Sequence, residues 1–322
     1  MNELEQKIFQ TSNEEEFVQL ALEVYKFQSS NNPVYREFVQ RLNHPSPTKI
    51  QEIPFLPISF FKSHQVRCFT NQVPIIFKSS GTAGIRSTHY VEEPKLYESS
   101  FELTYREQVG APEDQIILAL LPNYIEQGES SLVYMVDALI RKTQNLLSGF
   151  YLNDPKKILE IYQQAKSTNK KIILFGVSYA LLDLAEYQPD LSEALIIETG
   201  GMKGRRKELT KEELHQILKS KFNVVYISSE YGMTELLSQA YSDSKGLFTP
   251  PKWMKFLIRE TNDPFAYASE GKTGGINIID LANINSCSFI ATQDLGKIID
   301  SKLQLMGRFD NSDIRGCNLL VE

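Results

Sequence analysis

Apolar positions along this chain fall into two patterns. In the N-terminal part they recur at helical spacing, as in Glu14-Glu15-Glu16-Phe17-Val18-Gln19-Leu20-Ala21-Leu22, and Thr11-Ser12-Asn13 just before offers a capping residue. A proline-marked segment, Pro54-Phe55-Leu56-Pro57-Ile58, closes that region. Beyond it, short apolar runs rich in β-branched residues alternate with helical stretches. The runs predict strands at Val73–Phe77, Gln115–Leu121, Lys171–Phe175, Leu195–Glu198, Val224–Ser228 and Ile276–Asp280. Helices are predicted at Ser130–Lys142, Pro155–Lys166, Tyr179–Ala185 and Lys211–Lys219. Strands separated by helices of this length predict an α/β fold with much parallel pairing.

The pattern changes after about Gly271. Ile276–Asp280, Phe289–Thr292, Lys297–Ile299 and Leu303–Leu305 are short and closely spaced, which predicts a small antiparallel β unit. The expected division is an α/β core over 1–270, with its helical N-terminal segment, and a small β subdomain over 271–322. No internal repeat, low-complexity tract or long linker interrupts it.

Composition adds constraints. With 42% apolar and 23% charged residues, the 322-residue chain reads as globular rather than disordered. The net charge of −6 argues against electrostatic attachment to nucleic acid or anionic lipid, a local basic patch aside. Cys68, Cys287 and Cys317 are odd in number and widely spaced, which argues against a disulfide framework and a structural zinc site. The acidic N-terminus lacks a signal-peptide pattern, and the longest apolar run, Ile116–Leu121, is too short to span a bilayer. A cytoplasmic protein is expected.

Four segments are candidates for chemistry. Ser79-Ser80-Gly81-Thr82-Ala83-Gly84 follows a predicted strand, and such a turn brings N–H groups and hydroxyls close to a phosphate. It is no Walker loop, because no Gly-Lys-Ser/Thr closes it, and taken alone it reads first as a surface turn. Gly200-Gly201-Met202-Lys203-Gly204-Arg205-Arg206 ends another strand, where glycines let a flat ligand approach the backbone. In Tyr231-Gly232-Met233-Thr234-Glu235 the tyrosine can stack on a base, Thr234 can bond a phosphate oxygen and Glu235 can hold Mg²⁺. It can also simply start a helix. Thr292-Gln293-Asp294 precedes Gly307-Arg308-Phe309-Asp310, and an aspartate at a strand end suits the hydroxyls of a ribose. Alone, Asp294 is a turn residue.

In order and spacing these segments resemble the core motifs of the adenylate-forming superfamily, which includes acyl-CoA ligases and peptide-synthetase adenylation domains. Ser79–Gly84 is similar to its phosphate loop, departing by Ala83 where threonine is usual and by lacking the lysine that often follows. Gly200-Gly201-Met202 resembles the adenine-contacting turn, Tyr231–Glu235 is close to the family consensus, and Asp294 matches its ribose-binding aspartate. Gly307–Asp310 resembles the hinge into a mobile C-terminal lid. The resemblance implies a large adenylation core, a small β-rich C-terminal part, and ATP and Mg²⁺ as the groups bound. The sequence ends twelve residues after Asp310, so no full lid domain with its lysine is expected; Lys203, Arg205 and Arg206 are candidate substitutes.

A short chain with a cysteine near its end resembles the LuxE-like acyl-protein synthetases. That resemblance implies that a carboxylic acid, fatty in that family, is activated as acyl-AMP and passed to Cys317. The thioester would then serve an acyl reductase, an acyltransferase or a carrier-protein partner, with no nucleic acid and no stable membrane insertion involved. In this reading Ser79, Ser80, Gly81, Thr82 and Gly84 hold the β- and γ-phosphates and Glu235 the metal. Thr234 and Lys203 address the α-phosphate, while Gly200, Gly201, Met202, Tyr231, Gly232 and Met233 line the nucleotide and Asp294 with Arg308 fixes the ribose. His89, read more plainly as a surface histidine, is a candidate to help deprotonate the thiol.

Three other readings stand beside this one: a CoA ligase using free CoA, a non-catalytic binding subunit, and a serine hydrolase. The hydrolase would rest on Phe175-Gly176-Val177-Ser178, which is somewhat like a nucleophile elbow, with His215 downstream. Its closing glycine is missing.

Overall fold

The structure is a computed structural model, and it describes residues 3–43, 45–80, 85–122, 129–152, 154–200 and 209–309. In chain order these form helices α1 (Glu3–Gln10), α2 (Glu14–Asn31), α3 (Pro33–Leu42) and α4 (Phe60–Ser63), with strand β1 (Leu56–Pro57) between the last two. Strands β2 (Ile75–Lys78) and β3 (Thr88–Val91) precede α5 (Pro94–Gln108), β4 (Gln115–Leu120), α6 (Ser131–Thr143) and β5 (Gly149–Phe150). Next come α7 (Pro155–Lys166), β6 (Lys171–Val177), α8 (Ser178–Ala185), β7 (Ala194–Thr199), α9 (Lys211–Phe222) and β8 (Ser228–Tyr231). The last strands are β9 (Ala240–Ser242), β10 (Leu247–Thr249), β11 (Met254–Arg259), β12 (Gly274–Asp280), β13 (Phe289–Ile299) and β14 (Lys302–Arg308).

Two compact units emerge. One comprises residues 1–75, 87–96 and 249–322, and the other 76–86 and 97–248. A single boundary at residue 270 does not describe this division, because the N-terminal helices group with the C-terminal strands.

The second unit has strand order β10-β9-β8-β7-β6-β4-β5. β5, β4, β6, β7 and β8 run parallel, and β9 turns back antiparallel to β8. Every residue of β4 is buried, as expected for a parallel strand covered on both faces. Helix starts follow local chemistry: Asp154 caps α7, and Thr210 with Glu213 forms a capping box for α9. In the first unit β11, β12, β13 and β14 form an antiparallel meander, with β1 parallel to β13.

Two strand predictions need correction. The apolar run Val224–Ile227 is not a strand: Val225 and Tyr226 face solvent, and the strand begins at Ser228. The buried strand is the polar stretch Ser228-Ser229-Glu230-Tyr231, because its side chains are hydrogen-bonded to neighbouring strands. Likewise Phe289–Thr292 and Lys297–Ile299 belong to one continuous strand, β13, interrupted by a register shift at its centre. Helix α5, which buries Leu96, Tyr97, Phe101 and Tyr105 at helical spacing, and strand β11, whose residues alternate in burial, are further elements not among those predicted above.

The N-terminal helices hold a fully buried loop within the first unit. The Gln28 amide, wholly buried, donates to Asn283 O (3.1 Å), Ile284 O (2.8 Å) and Ser288 Oγ (3.2 Å) and accepts from Ser288 N–H (3.0 Å). Asn32 donates to Ser286 O at 2.9 Å from the α2–α3 junction. Removing Gln28 strands several buried carbonyls and an N–H group, so Gln28→Ala is expected to lower unfolding free energy by about 3 kcal/mol. Urea denaturation measures this; a loss within experimental error of zero would contradict the clasp.

Candidate active site

In an open α/β sheet, ligands gather beyond the carboxyl ends of the strands. In the second unit those ends carry Val177-Ser178 at the β6–α8 junction, Glu198-Thr199-Gly200 at the end of β7, and Glu230-Tyr231-Gly232 at the end of β8. Three adjacent parallel strands thereby bring the 200 and 231 segments side by side, since Glu198 and Ser229 are register partners.

Beneath them lies a buried polar knot absent from the sequence reading. Glu198 is 2% exposed and accepts Ser178 Oγ–H at 2.6 Å and Ser229 Oγ–H at 3.0 Å. Lys211 Nζ, from the first turn of α9, lies 3.2 Å from Oε2, and His215 Nε2 lies 3.8 Å from it and 3.1 Å from Ser229 Oγ. Burial alone would raise the Glu198 pKa. The Lys211 charge, the nearby His215 ring and the hydrogen bond from Ser178 outweigh it and hold the carboxyl at about 2. The knot therefore links β7, β8 and the helices α8 and α9 around one ionised carboxylate.

Glu230 behaves oppositely. It is fully desolvated and close to the Glu198 charge, and these raise its pKa to about 7 against the Thr199 hydrogen bond and Lys211. Thr199 Oγ1 donates to its Oε2 at 2.5 Å. Its other oxygen lies 2.2 Å from where a Cβ on Gly232 would stand. A side chain at position 232 would therefore push the Glu230 carboxyl from its place, a reason for the Tyr-Gly pair that lies in this chain itself. Tyr231, buried, meets the Phe248 ring edge-on at 5.8 Å, and Lys211 sits 5.1 Å over that same ring.

Thr234 and Glu235 lie in the turn after Met233, closed by Leu236 N–H to Met233 O at 3.1 Å; Glu235 is buried and Thr234 half-buried. Ser79 and Ser80 follow β2 and are half-buried and exposed. Arg86 ties both sides of that loop, donating to Ser79 O (2.5 Å) and Lys78 O (3.4 Å) and pairing with Glu129, which Lys78 also meets. Gly81, Thr82, Gly84, Gly201, Met202, Lys203, Arg205, Arg206, Asp310 and Cys317 lie outside the described residues.

In the first unit, Asp294 and Arg308 are cross-strand partners of β13 and β14, with Nε to Oδ1 at 3.2 Å. Asp294 is nearly buried and Arg308 exposed. His89 is fully buried, its ring edge-on to Phe61 at 5.8 Å, and is not the surface histidine expected.

Ser178 lacks the arrangement of a hydrolase nucleophile. Its hydroxyl, 2% exposed, is directed to Glu198 and to Gly200 O at 2.5 Å, while His215 faces Ser229. Among the described residues no group of three or more His, Cys, Asp or Glu could hold a metal, and no helix is long and apolar enough to cross a membrane. A single carboxylate such as Glu235 fits Mg²⁺ only in company with phosphate oxygens.

The sequence matches no protein-family model and no curated protein. Solved structures do share its architecture. ATP-bound MatB from Rhodopseudomonas palustris is similar at TM-score 0.55 and 19% identity, over 72% of this chain and 47% of that one. 2-Hydroxyisobutyryl-CoA ligase in complex with 2-HIB-AMP is similar at TM-score 0.67 and 9% identity, over 92% of this chain and 68% of that one. The same ligase with 2-HIB-AMP and CoA gives 0.65 at 11% identity, over 94% and 70%. The fold is that of adenylate-forming enzymes. Within this adenylate-forming fold the chain spans about half the length of the MatB structures and about 70% of the ligase.

The two buried carboxyls give a pH signature. An unfolded glutamate ionises near 4.5, whereas Glu230 keeps its proton to about 7 in the fold. The native state binds the extra proton in that window, so this group's contribution to stability falls as pH rises from about 4.5 to about 7. Glu198, held at about 2, adds stability that is full above about 4.5 and is lost as pH falls toward 2. Glu230→Gln is expected to flatten the decline above pH 4.5 in denaturant melts across that range. An unchanged slope would contradict the assignment.

Proposed function

We propose that the protein activates a carboxylic acid as its acyl-adenylate at the expense of ATP and transfers the acyl group to a thiol. The observation that carries this reading is the placing of the Gly200 and Tyr231–Glu235 segments side by side at the carboxyl ends of β7 and β8. The shared fold supports it: MatB is known with ATP, and the ligase with 2-HIB-AMP and CoA.

In the first step a carboxylate oxygen attacks the α-phosphorus and pyrophosphate leaves. The protein's task there is alignment and charge stabilisation rather than covalent chemistry. Ser79, Ser80, Gly81, Thr82 and Gly84 would donate to the β- and γ-phosphates, with Arg86 fixing the loop's ends. Thr234 and Lys203 would address the α-phosphate. Tyr231, Gly232 and Met233 would line the nucleotide with Gly200, Gly201 and Met202, and Asp294 with Arg308 would take the ribose hydroxyls. Mg²⁺, when bound with the phosphates, would neutralise their charge, and Glu235 is its protein ligand in this reading.

In the second step the Cys317 thiolate attacks the acyl carbonyl and AMP leaves, giving a thioester on the protein. A thiolate is strongly nucleophilic and its thioester remains reactive, so the acyl group can pass onward. This finer assignment, to a LuxE-like acyl-protein synthetase acting on a fatty acid, rests on the resemblance described above and on Cys317 in the segment Asp313-Ile314-Arg315-Gly316-Cys317. A second reading, with free CoA as acceptor, is favoured by the CoA-bound ligase of the same fold.

Intact-mass measurement after incubation with ATP, Mg²⁺ and a panel of fatty and aryl acids decides between them. The expected result is an acyl-sized gain, released by hydroxylamine and absent in Cys317→Ser. Acid-dependent pyrophosphate release without a mass gain, followed by acyl-CoA formation on adding CoA, would replace self-acylation by the CoA ligase. Neither signal with any acid would overturn adenylation itself.

A further inference from the structure

The Thr292-Gln293-Asp294 segment is held in an irregular piece of sheet. Gly275 of β12 faces Leu295 of β13, yet Asn277 faces Ala291. Thr292, Gln293 and Asp294 therefore stand opposite the single residue Ile276, a bulge wider than the common two-against-one form. Such a bulge re-aims side chains and takes backbone groups out of the ladder, and those groups need other partners in a buried sheet.

Arg259 supplies them from the far side of β12. It is the cross-strand partner of Gly275 on β11. Its Nη1 donates to Ile276 O and to Asn277 Oδ1, both at 2.8 Å, and its Nη2 donates to Thr292 O at 2.6 Å. Thr292 Oγ1 also donates to Ile276 O, at 2.8 Å, and accepts from Asp294 N–H at 3.1 Å. The guanidinium thus bonds one carbonyl on each strand of the bulge, those of Ile276 and Thr292, and Asp294 hangs from the same residue, Thr292. To reach them the side chain crosses directly over Gly275. A Cβ there would lie 2.5 Å from Cζ and 2.7 Å from Nη2, so any side chain at 275 would displace the guanidinium. The other face of the guanidinium meets the Phe309 ring at 5.5 Å, next to Arg308, which pairs with Asp294.

We propose that Arg259 is a positioning residue for Asp294: it pins the Thr292–Asp294 bulge through the carbonyls of Ile276 and Thr292, over the passage left by Gly275. This rests on the adenylation reading, in which Asp294 takes the ribose hydroxyls. Arg259 itself touches no substrate. Lysine replaces it only in part, because an ammonium lacks the planar fork that reaches both carbonyls at once.

The test is acid-dependent exchange of pyrophosphate into ATP, with KM for ATP and for the acid measured separately. Arg259→Ala is expected to raise KM for ATP by about tenfold or more, leaving KM for the acid and kcat within about threefold. Arg259→Lys should fall between it and wild type, and Gly275→Ala should reproduce its effect while keeping the arginine. Millimolar guanidinium should lower KM for ATP in Arg259→Ala and leave Asp294→Asn unaffected. If Arg259→Ala fails to fold, Arg259→Lys and Gly275→Ala carry the comparison. An unchanged KM for ATP in folded variants, or equal changes in both KM values, would overturn the positioning role while adenylation stands. No exchange and no ATP binding by wild-type protein would overturn both.

Discussion

The ionised carboxylate of Glu198 is the constraint on which the second unit depends. A charge buried on a central parallel strand is tolerated only when it is paired and hydrogen-bonded. Lys211 supplies the opposite charge, and Ser178, Ser229 and His215 supply hydrogen bonds or contacts from three other elements. Because Ser178 and Lys211 open helices α8 and α9 and Ser229 lies on β8, satisfying the charge also fixes those helix starts against β7 and β8. The turns at Gly200 and at Tyr231–Gly232 project from those two strands. Removing one partner from such a set leaves an uncompensated charge, whereas replacing the whole set by apolar groups need not destabilise the fold. The knot is therefore better understood as specifying geometry than as adding stability.

Glu230 shows the same logic from the other side. Its carboxyl has one hydrogen bond, from Thr199, and lies against the backbone of Gly232. With the neighbouring charge on Glu198 already ionised, a second buried charge is disfavoured, and the group holds its proton instead. One carboxyl ionised and one protonated on adjacent strands is the arrangement that two buried acids sharing a region reach by separating their pKa values.

Much of this was legible in the sequence, and the exceptions share a cause. Apolar runs identified β4, β6 and β7, and Pro155–Lys166 was bounded correctly at both ends because Asp154 and the proline mark its start. The polar strand Ser228–Tyr231 was missed, since hydrophobic pattern carries no record of hydrogen bonds from other strands. Val225 and Tyr226 misled for the converse reason: β-branched and aromatic residues beside a strand read like the strand itself. The motif residues Gly200, Tyr231 and Gly232 were visible as small and aromatic residues after apolar runs. Glu198, Glu230, Lys211 and Arg259 were not, because each acts through partners far along the chain. The only local signal was an acidic residue placed at the end of an otherwise apolar run.

In the proposed function the carboxyl ends of β7 and β8 receive an acyl-adenylate. Isothermal titration of the purified protein with a non-hydrolysable acyl-sulfamoyl adenosine tests this most directly, since it needs no turnover and no knowledge of the final acceptor. The account predicts saturable one-to-one binding, at least about a hundredfold tighter than adenosine or the free acid and weakened by Tyr231→Ala. Binding no tighter than that of the better component alone, across fatty and aryl acyl groups, would contradict it.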